Sequence, residues 1–107
     1  MTSTQYQRGA AGEYYVIKLL EDKGYKTIRS SGSHGPIDIL AAKGASVEKN
    51  HRLGVQVKKS EKHRMTTDEE QKLMEWANLF EALPVEAFKQ NGRWAFRDLL
   101  MGELMEL

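Results

Sequence analysis

The run Leu53-Gly54-Val55-Gln56-Val57-Lys58 constrains the fold of this 107-residue chain more than any other stretch. Its apolar character reads as a strand buried in a sheet. Side chains alternate along a strand, so Val55 and Val57 share one face while Gln56 and Lys58 share the other. Polar groups are uncommon in such a setting, and two on one face imply a use for them. A second strand-like run lies upstream, Pro36-Ile37-Asp38-Ile39-Leu40-Ala41, apolar except for Asp38.

The elements around these runs follow from spacing and punctuation. Residues 9–23 read as a helix that stops at Gly24, with Val16, Ile17 and Leu20 on its apolar stripe. Glu13 lies one turn before Val16 and Ile17, on the inward side. An inward carboxylate is costly unless paired or coordinated; at the edge of the stripe it would reach solvent instead. Tyr25 to Arg29 reads as a first strand, Ser30 to Pro36 as a turn-rich loop, and Ile37 to Lys43 as the second strand. A polar connection over residues 44–51 then leads to the third strand, Arg52 to Lys59. Lys59-Ser60-Glu61-Lys62-His63-Arg64 reads as an exposed basic loop. Thr66…Glu69 and Thr67…Glu70 both have capping-box spacing, so a helix begins here, its acidic first turn suited to the helix dipole. Leu73, Trp76, Ala77 and Phe80 recur at helical spacing and read as core. Pro84 opens a fourth strand, Val85 to Lys89; Asn91-Gly92 signals a hairpin; Arg93 to Arg97 returns, with Trp94 and Phe96 on one face. The amphipathic tail, Asp98 to Leu107, is compatible with a final helix covering the sheet or a partner subunit. The fold class expected is α/β: a single domain over residues 8–107, a mixed sheet flanked by helices, preceded by a flexible arm at residues 1–7.

Composition narrows the function. Hydrophobic residues make up 40% and charged residues 29%, as in ordinary soluble domains. No stretch approaches the roughly 20 apolar residues of a membrane span, and Met1 to Arg8 has no secretory apolar core. The absence of cysteine excludes disulfides and thiolate metal sites and fits a reducing compartment such as the cytoplasm. The net charge of +1 conceals a basic portion, residues 1–65 at +6, against residues 66–107 at −5. A basic surface suits nucleic acid, although simple solvation explains it equally well. Ser30, Ser31 and Ser33 near His34 lack a GxSxG elbow. His34, His51 and His63 are too dispersed for zinc, and Gly32-Ser33-His34-Gly35 matches no P-loop.

Glu13, Asp38, Gln56 and Lys58 together describe one site. Asp38 offers a hard anionic oxygen for Mg²⁺, the Gln56 amide oxygen a second ligand, and the Val57 backbone carbonyl a third. Lys58 would orient or deprotonate an attacking water, or neutralise developing phosphorane charge. Glu13 would hold the water network of that ion or bind a second one.

With these residues in order, the sequence resembles the archaeal-type Holliday-junction resolvases of the PD-(D/E)xK nuclease superfamily. The resemblance is carried by Arg8-Gly9-Ala10-Ala11-Gly12-Glu13, Arg29-Ser30-Ser31-Gly32-Ser33, Ile37-Asp38-Ile39 and Val55-Gln56-Val57-Lys58. It continues more weakly through Pro84 to Lys89 and Gly92 to Phe96. It implies a restriction-endonuclease-like core and Mg²⁺-dependent hydrolysis of phosphodiester bonds in opposing strands of a four-way junction, with Mn²⁺ as a substitute ion. It also implies a homodimer with no membrane attachment. Glu13, Asp38 and Lys58 match catalytic positions, and Ser33 matches a serine near the scissile phosphate. Arg8 and Arg29 match positions expected on the DNA backbone. Ser31, Lys59, Lys62 and Arg64 extend that basic, polar surface. Trp94, Phe96, Leu99 and Leu100 offer apolar surface for the second subunit.

Gln56 departs from the family, which usually places glutamate there. Losing one charge beside a divalent ion removes several kcal/mol of gross attraction at an effective dielectric near 20, offset in part by reduced repulsion and cheaper desolvation. A working variant, an inactive branched-DNA-binding module and an engineered substitution all remain open at this point, as does a repair or restriction nuclease on the same fold. The short chain and variant motif are compatible with a viral or phage member acting in the host cytoplasm.

Overall fold

The computed structural model describes the backbone of residues 4–30, 35–44 and 51–107, with side chains from residue 11 onward. The elements run α1 (Thr4–Asp22), β1 (Lys26–Arg29), β2 (Ile39–Ala42), β3 (Arg52–Lys58), α2 (Thr67–Leu79), β4 (Leu83–Gln90), β5 (Arg93–Asp98) and β6 (Glu103–Met105). The strands form one six-stranded sheet in sequence order. Among the described strands β3 and β4 alone pair in parallel, because α2 crosses between them; the other pairs are antiparallel. The expected mixed sheet with flanking helices is present.

Alternation along β3 divides the core. Leu53, Val55 and Val57 pack with Val16 and Leu20 of α1, with Ile39 and Ala41 of β2, and with Val85, Ala87 and Phe96. Ile37, Met65 and Leu73 form the smaller cluster. There Gly54 lets α2 sit close: a Cβ on it would lie 3.3 Å from Ile37 Cδ1 and 3.5 Å from Ala77 Cβ. The helices therefore cover opposite faces. Leu20 and Leu73 are fully buried, each worth about 2–3 kcal/mol of transfer free energy.

Local chemistry sets the boundaries. Gly24 ends α1 at φ +93°, a conformation that costs glycine little. Thr66 and Glu69 form a full capping box at the start of α2. Asn91 and Gly92 both have positive φ, 53° and 77°, as a two-residue type I′ hairpin requires.

Four expectations are corrected. α1 begins at Thr4, inside the stretch read as an arm. The tail is a strand rather than a helix. Asp98 Oδ1 accepts from Leu100 N and Met101 N, Gly102 turns the chain at φ 73°, and β6 pairs with β5. A glycine inside a helix would cost about 1 kcal/mol, and pairing satisfies the open edge of β5. Trp76, read as core, is 39% exposed and Phe80 49%, because α2 turns Leu73 and Ala77 inward and leaves its flank open. Phe96, read as apolar surface, is 6% exposed and belongs to the main core.

Candidate active site

The sheet register lines up a polar row, of which Gln56, Glu86 and Arg97 share the α2 face. Gln56 pairs with Glu86 in the parallel ladder, and Glu86 with Arg97 in the next. On the other side, Ile39 pairs with Val55 and Asp38 N donates to Val55 O at 2.8 Å, which places Asp38 opposite Gln56. The row Asp38, Gln56, Glu86, Arg97 thus crosses four neighbouring segments.

Asp38 stands just before β2. Its Oδ2 accepts from Val57 N at 2.8 Å. Burial pushes its carboxyl up to about 6; the Val57 hydrogen bond and the charges of Lys58 and Lys59 oppose that rise, and Glu13 adds to it. A carboxylate in this condition gains from a nearby cation. Beside it, Gln56 Oε1 is buried and has no hydrogen-bond partner among the described residues. A carboxylate whose charge burial disfavours therefore stands just before β2, across from an unpartnered amide oxygen on β3.

Lys58 lies on the same face as Gln56, two residues on. Its Nζ donates to Glu69 Oε2 at 2.8 Å, which holds the Glu69 carboxyl below the usual range. Glu13, on the inward side of α1, is bound by Arg29 Nε at 2.7 Å, and both side chains are largely buried. The Arg29 guanidinium also lies 4.9 Å from the Tyr14 ring. The inward glutamate is thus paired, and its charge still reaches Asp38. Among the described residues no three His, Asp, Glu or Cys side chains gather as a metal cluster. Any ion here would rely on Asp38, the neutral Gln56 oxygen, backbone oxygen and water.

The strongest electrostatic feature escaped the sequence reading. Glu86 is fully buried. It accepts from Arg64 Nε and Nη2 at 2.9 Å each, from Met65 N at 3.1 Å, and from Arg97 Nε and Nη2 at 3.1 and 2.9 Å. Arg97 also binds Glu70 of α2. Burial alone would raise the Glu86 carboxyl, but the Arg64, Met65 and Arg97 hydrogen bonds outweigh it and hold the group ionised. The signal was present: a lone acid within Leu83-Pro84-Val85-Glu86-Ala87-Phe88 deserves the question asked of Gln56.

A profile of the archaeal Holliday junction resolvase (Hjc) family matches residues 4–105. The chain belongs to this family. It is 32% identical over 94 residues to the crossover junction endodeoxyribonuclease Hjc of Methanocaldococcus jannaschii, covering 86% of this chain and 66% of that protein. It therefore spans just under two thirds of that relative's length. The crystal structure of Hjc, a Holliday junction resolvase from Archaeoglobus fulgidus, superposes with a TM-score of 0.70 at 28% identity, covering 92% of this chain and 79% of that one.

The residues expected to act in this resolvase-family chain fall into four groups. Asp38, Gln56, Val57, Lys58 and Glu13 come together around the end of β3, as the contacts above describe. Lys59 and Lys62 are exposed and form no salt bridge among the described residues, although the Lys59 charge reaches Asp38. Arg64, expected on DNA, grips Glu86 and lies 3.5 Å over the Phe88 ring while its side chain stays 37% exposed. Arg29 likewise holds Glu13. Ser31, Ser33 and the Arg8 side chain lie outside the described residues.

Proposed function

We propose that this chain is a divalent-metal-dependent endodeoxyribonuclease that resolves four-way DNA junctions by hydrolysing phosphodiester bonds in opposing strands. The observation that carries the reading is the unpartnered, buried Gln56 Oε1 beside the raised carboxyl of Asp38. Leaving such an oxygen unsatisfied costs about 1–3 kcal/mol, which a hard cation would return. Mg²⁺, with Mn²⁺ as its substitute, suits two or three protein oxygens and several waters. Asp38, Gln56 and the Val57 carbonyl would hold it. Bound there, the ion would polarise the scissile phosphate and lower the pKa of a coordinated water. Lys58 presents its ammonium on the same face, against the charge that develops on the phosphate oxygens. The Arg29–Glu13 pair fixes a further charge beside Asp38. Lys59 and Lys62 would follow the DNA backbone.

Cutting two opposing strands calls for two sites, and a second copy of this chain is the partner proposed. Ile28 (70% exposed), Trp76 and Phe80 line an open hollow of about 170 Å³, with Leu79 (79% exposed) beside it. An apolar face of this kind on a small domain suits association. Phe80→Glu is expected to yield a monomer in sedimentation; a wild-type monomer at micromolar concentration would refute the dimer. Among the described residues no helix is long and apolar enough to cross a membrane, and the reading places the protein with DNA in the cytoplasm.

The central test is cleavage of a synthetic four-way junction and its linear duplex arms, with Mg²⁺ and with EDTA. Wild type should cut the junction only with the ion, and Asp38→Ala should abolish cutting. Equal cutting of duplex and junction would remove the junction specificity. A wild type that binds but never cuts, with cutting gained in Gln56→Glu, would make the natural chain a binding module.

A further inference from the structure

Glu69 performs two tasks with one carboxylate. Oε1 accepts from Thr66 N at 2.9 Å and closes the capping box, while Thr66 Oγ1 accepts from Glu69 N at 3.2 Å. Oε2 accepts from Lys58 Nζ at 2.8 Å. The two oxygens thus tie the first turn of α2 to the functional face of β3. A capping box alone needs only one side-chain oxygen at this position, and glutamine serves as well as glutamate. The second oxygen is surplus to the cap and is aimed at the lysine.

We propose that Glu69 is a positioning residue for Lys58: the capping box locks its carboxylate, and that carboxylate fixes where the ammonium stands beside Asp38 and Gln56. This rests on the nuclease reading above for its consequence, though not for its geometry. Lysine carries a flexible four-carbon stem, and a free ammonium would sample many rotamers. Here the partner is itself immobilised by a helix terminus, so the lysine is placed before any phosphate arrives. Its two remaining N–H donors are left for other acceptors. Preorganised charge of this kind stabilises a transition state without reorganisation at the moment of reaction. The loop between β3 and α2 is also anchored, because Arg64 and Met65 N hold Glu86 and Arg97 joins Glu86 to Glu70. The frame that carries Glu69 is therefore fixed at both ends.

Two variants separate the tasks. In Glu69→Gln the amide oxygen still accepts from Thr66 N, while the amide NH₂ faces the ammonium donor to donor. In Thr66→Ala the Thr66 backbone N–H and the carboxylate–lysine pair are kept and only the Oγ1 bond is lost. Single-turnover junction cleavage, metal-free junction Kd, Tm and the Lys58 ammonium resonance in nitrogen-15 lysine spectra are measured on both. Glu69→Gln should slow single-turnover cleavage by about ten- to a hundredfold, the scale of a misplaced catalytic group. It should leave Kd and Tm near wild type and lose the slowly exchanging Lys58 resonance. Thr66→Ala should lower Tm by about 4–8 °C, the scale for losing roughly 1 kcal/mol of cap, with rate and resonance retained. Rates that fall in both variants in step with Tm, or a Glu69→Gln protein with wild-type rate and resonance, would overturn the proposal. If wild type cuts nothing, the nuclease reading has failed and the resonance alone decides the positioning claim.

Discussion

Replacing Asp38 with asparagine should stabilise the metal-free protein while destroying its response to metal. The ordinary carboxyl value for this residue is 3.8, and burial pushes it up to about 6 in the fold, even after Val57 N–H, Lys58 and Lys59 have favoured the charged form. That difference is worth about 3 kcal/mol against folding once the group is ionised in both states. Asparagine is nearly isosteric, and its oxygen can still accept from Val57 N. Allowing for its imperfect fit, a gain of about 1–3 kcal/mol is expected near pH 7.5 in EDTA, or about 5–15 °C in Tm for a chain this size. The sign follows from linkage. Well below pH 3.8 the carboxyl is protonated in both states and the two proteins should match; at pH 4 the unfolded chain is only partly ionised and the difference should shrink to about 0.5 kcal/mol. As pH rises through the window from 3.8 to about 6, the unfolded chain ionises first and wild type loses stability; above it the full difference persists. Urea melts by circular dichroism at pH 4 and pH 7.5 would measure this. Adding Mg²⁺ should raise wild type by mass action and leave the variant unmoved. An asparagine variant less stable than wild type in EDTA at pH 7.5, or a difference equal at both pH values, would refute the argument.

Other perturbations test the frame and the DNA surface. Glu86→Ala leaves Arg64 and Arg97 facing a cavity and should cost about 3–5 kcal/mol in urea melts; a loss below about 1 kcal/mol would show that the network contributes little. Gly35→Ala should displace Trp76, since a Cβ there would come within 2.6 Å of its ring, and should cost about 1–3 kcal/mol. Unchanged Trp76 emission in a Trp94→Phe background would count against it. Lys59→Ala and Lys62→Ala should each weaken junction binding across all sequences and reduce the salt slope by about one, measured by titration from low to high salt. Gln56→Glu should lose about 2–3 kcal/mol of stability in EDTA and regain it as Mg²⁺ is added.

What could be read in advance was local. Alternation placed Gln56 and Lys58 on one face of β3, Thr66 and Glu69 announced the start of α2, and Asn91-Gly92 announced the hairpin. Each depends on residues a few positions apart, where backbone geometry leaves little choice. The misses depend on distant partners. Glu86 is tolerable at full burial only because Arg64 lies 22 residues before it and Arg97 11 after, and no short window contains that triad. Trp76 repeats at core spacing with Leu73, yet the angle at which α2 meets the sheet decides which of them is buried. The tail is amphipathic under either reading, and the open edge of β5 selects the strand. In the site, the residues of the Asp38–Lys58 cluster were legible, while Glu69 was legible only as a cap.

The ladder register explains why a neutral residue can occupy position 56. Gln56 stands between Asp38 on one side and Glu86 on the other. Glu86 is ionised and buried, and Asp38 already resists ionisation. A glutamate between them would make a third carboxylate in a row of strands about 5 Å apart. At an effective dielectric near 20, two unit charges at that spacing repel by about 3 kcal/mol. The charges of Arg64 and Arg97 offset part of that repulsion, but both already hydrogen-bond the Glu86 oxygens. Glutamine supplies the same oxygen at the same place and adds no repulsion, at the cost of a weaker hold on a divalent ion. The trade predicts its own signature: Gln56→Glu should bind Mg²⁺ more tightly and fold less stably without it. Equal stability of the two proteins in EDTA would mean that the glutamine is not answering to Glu86 at all.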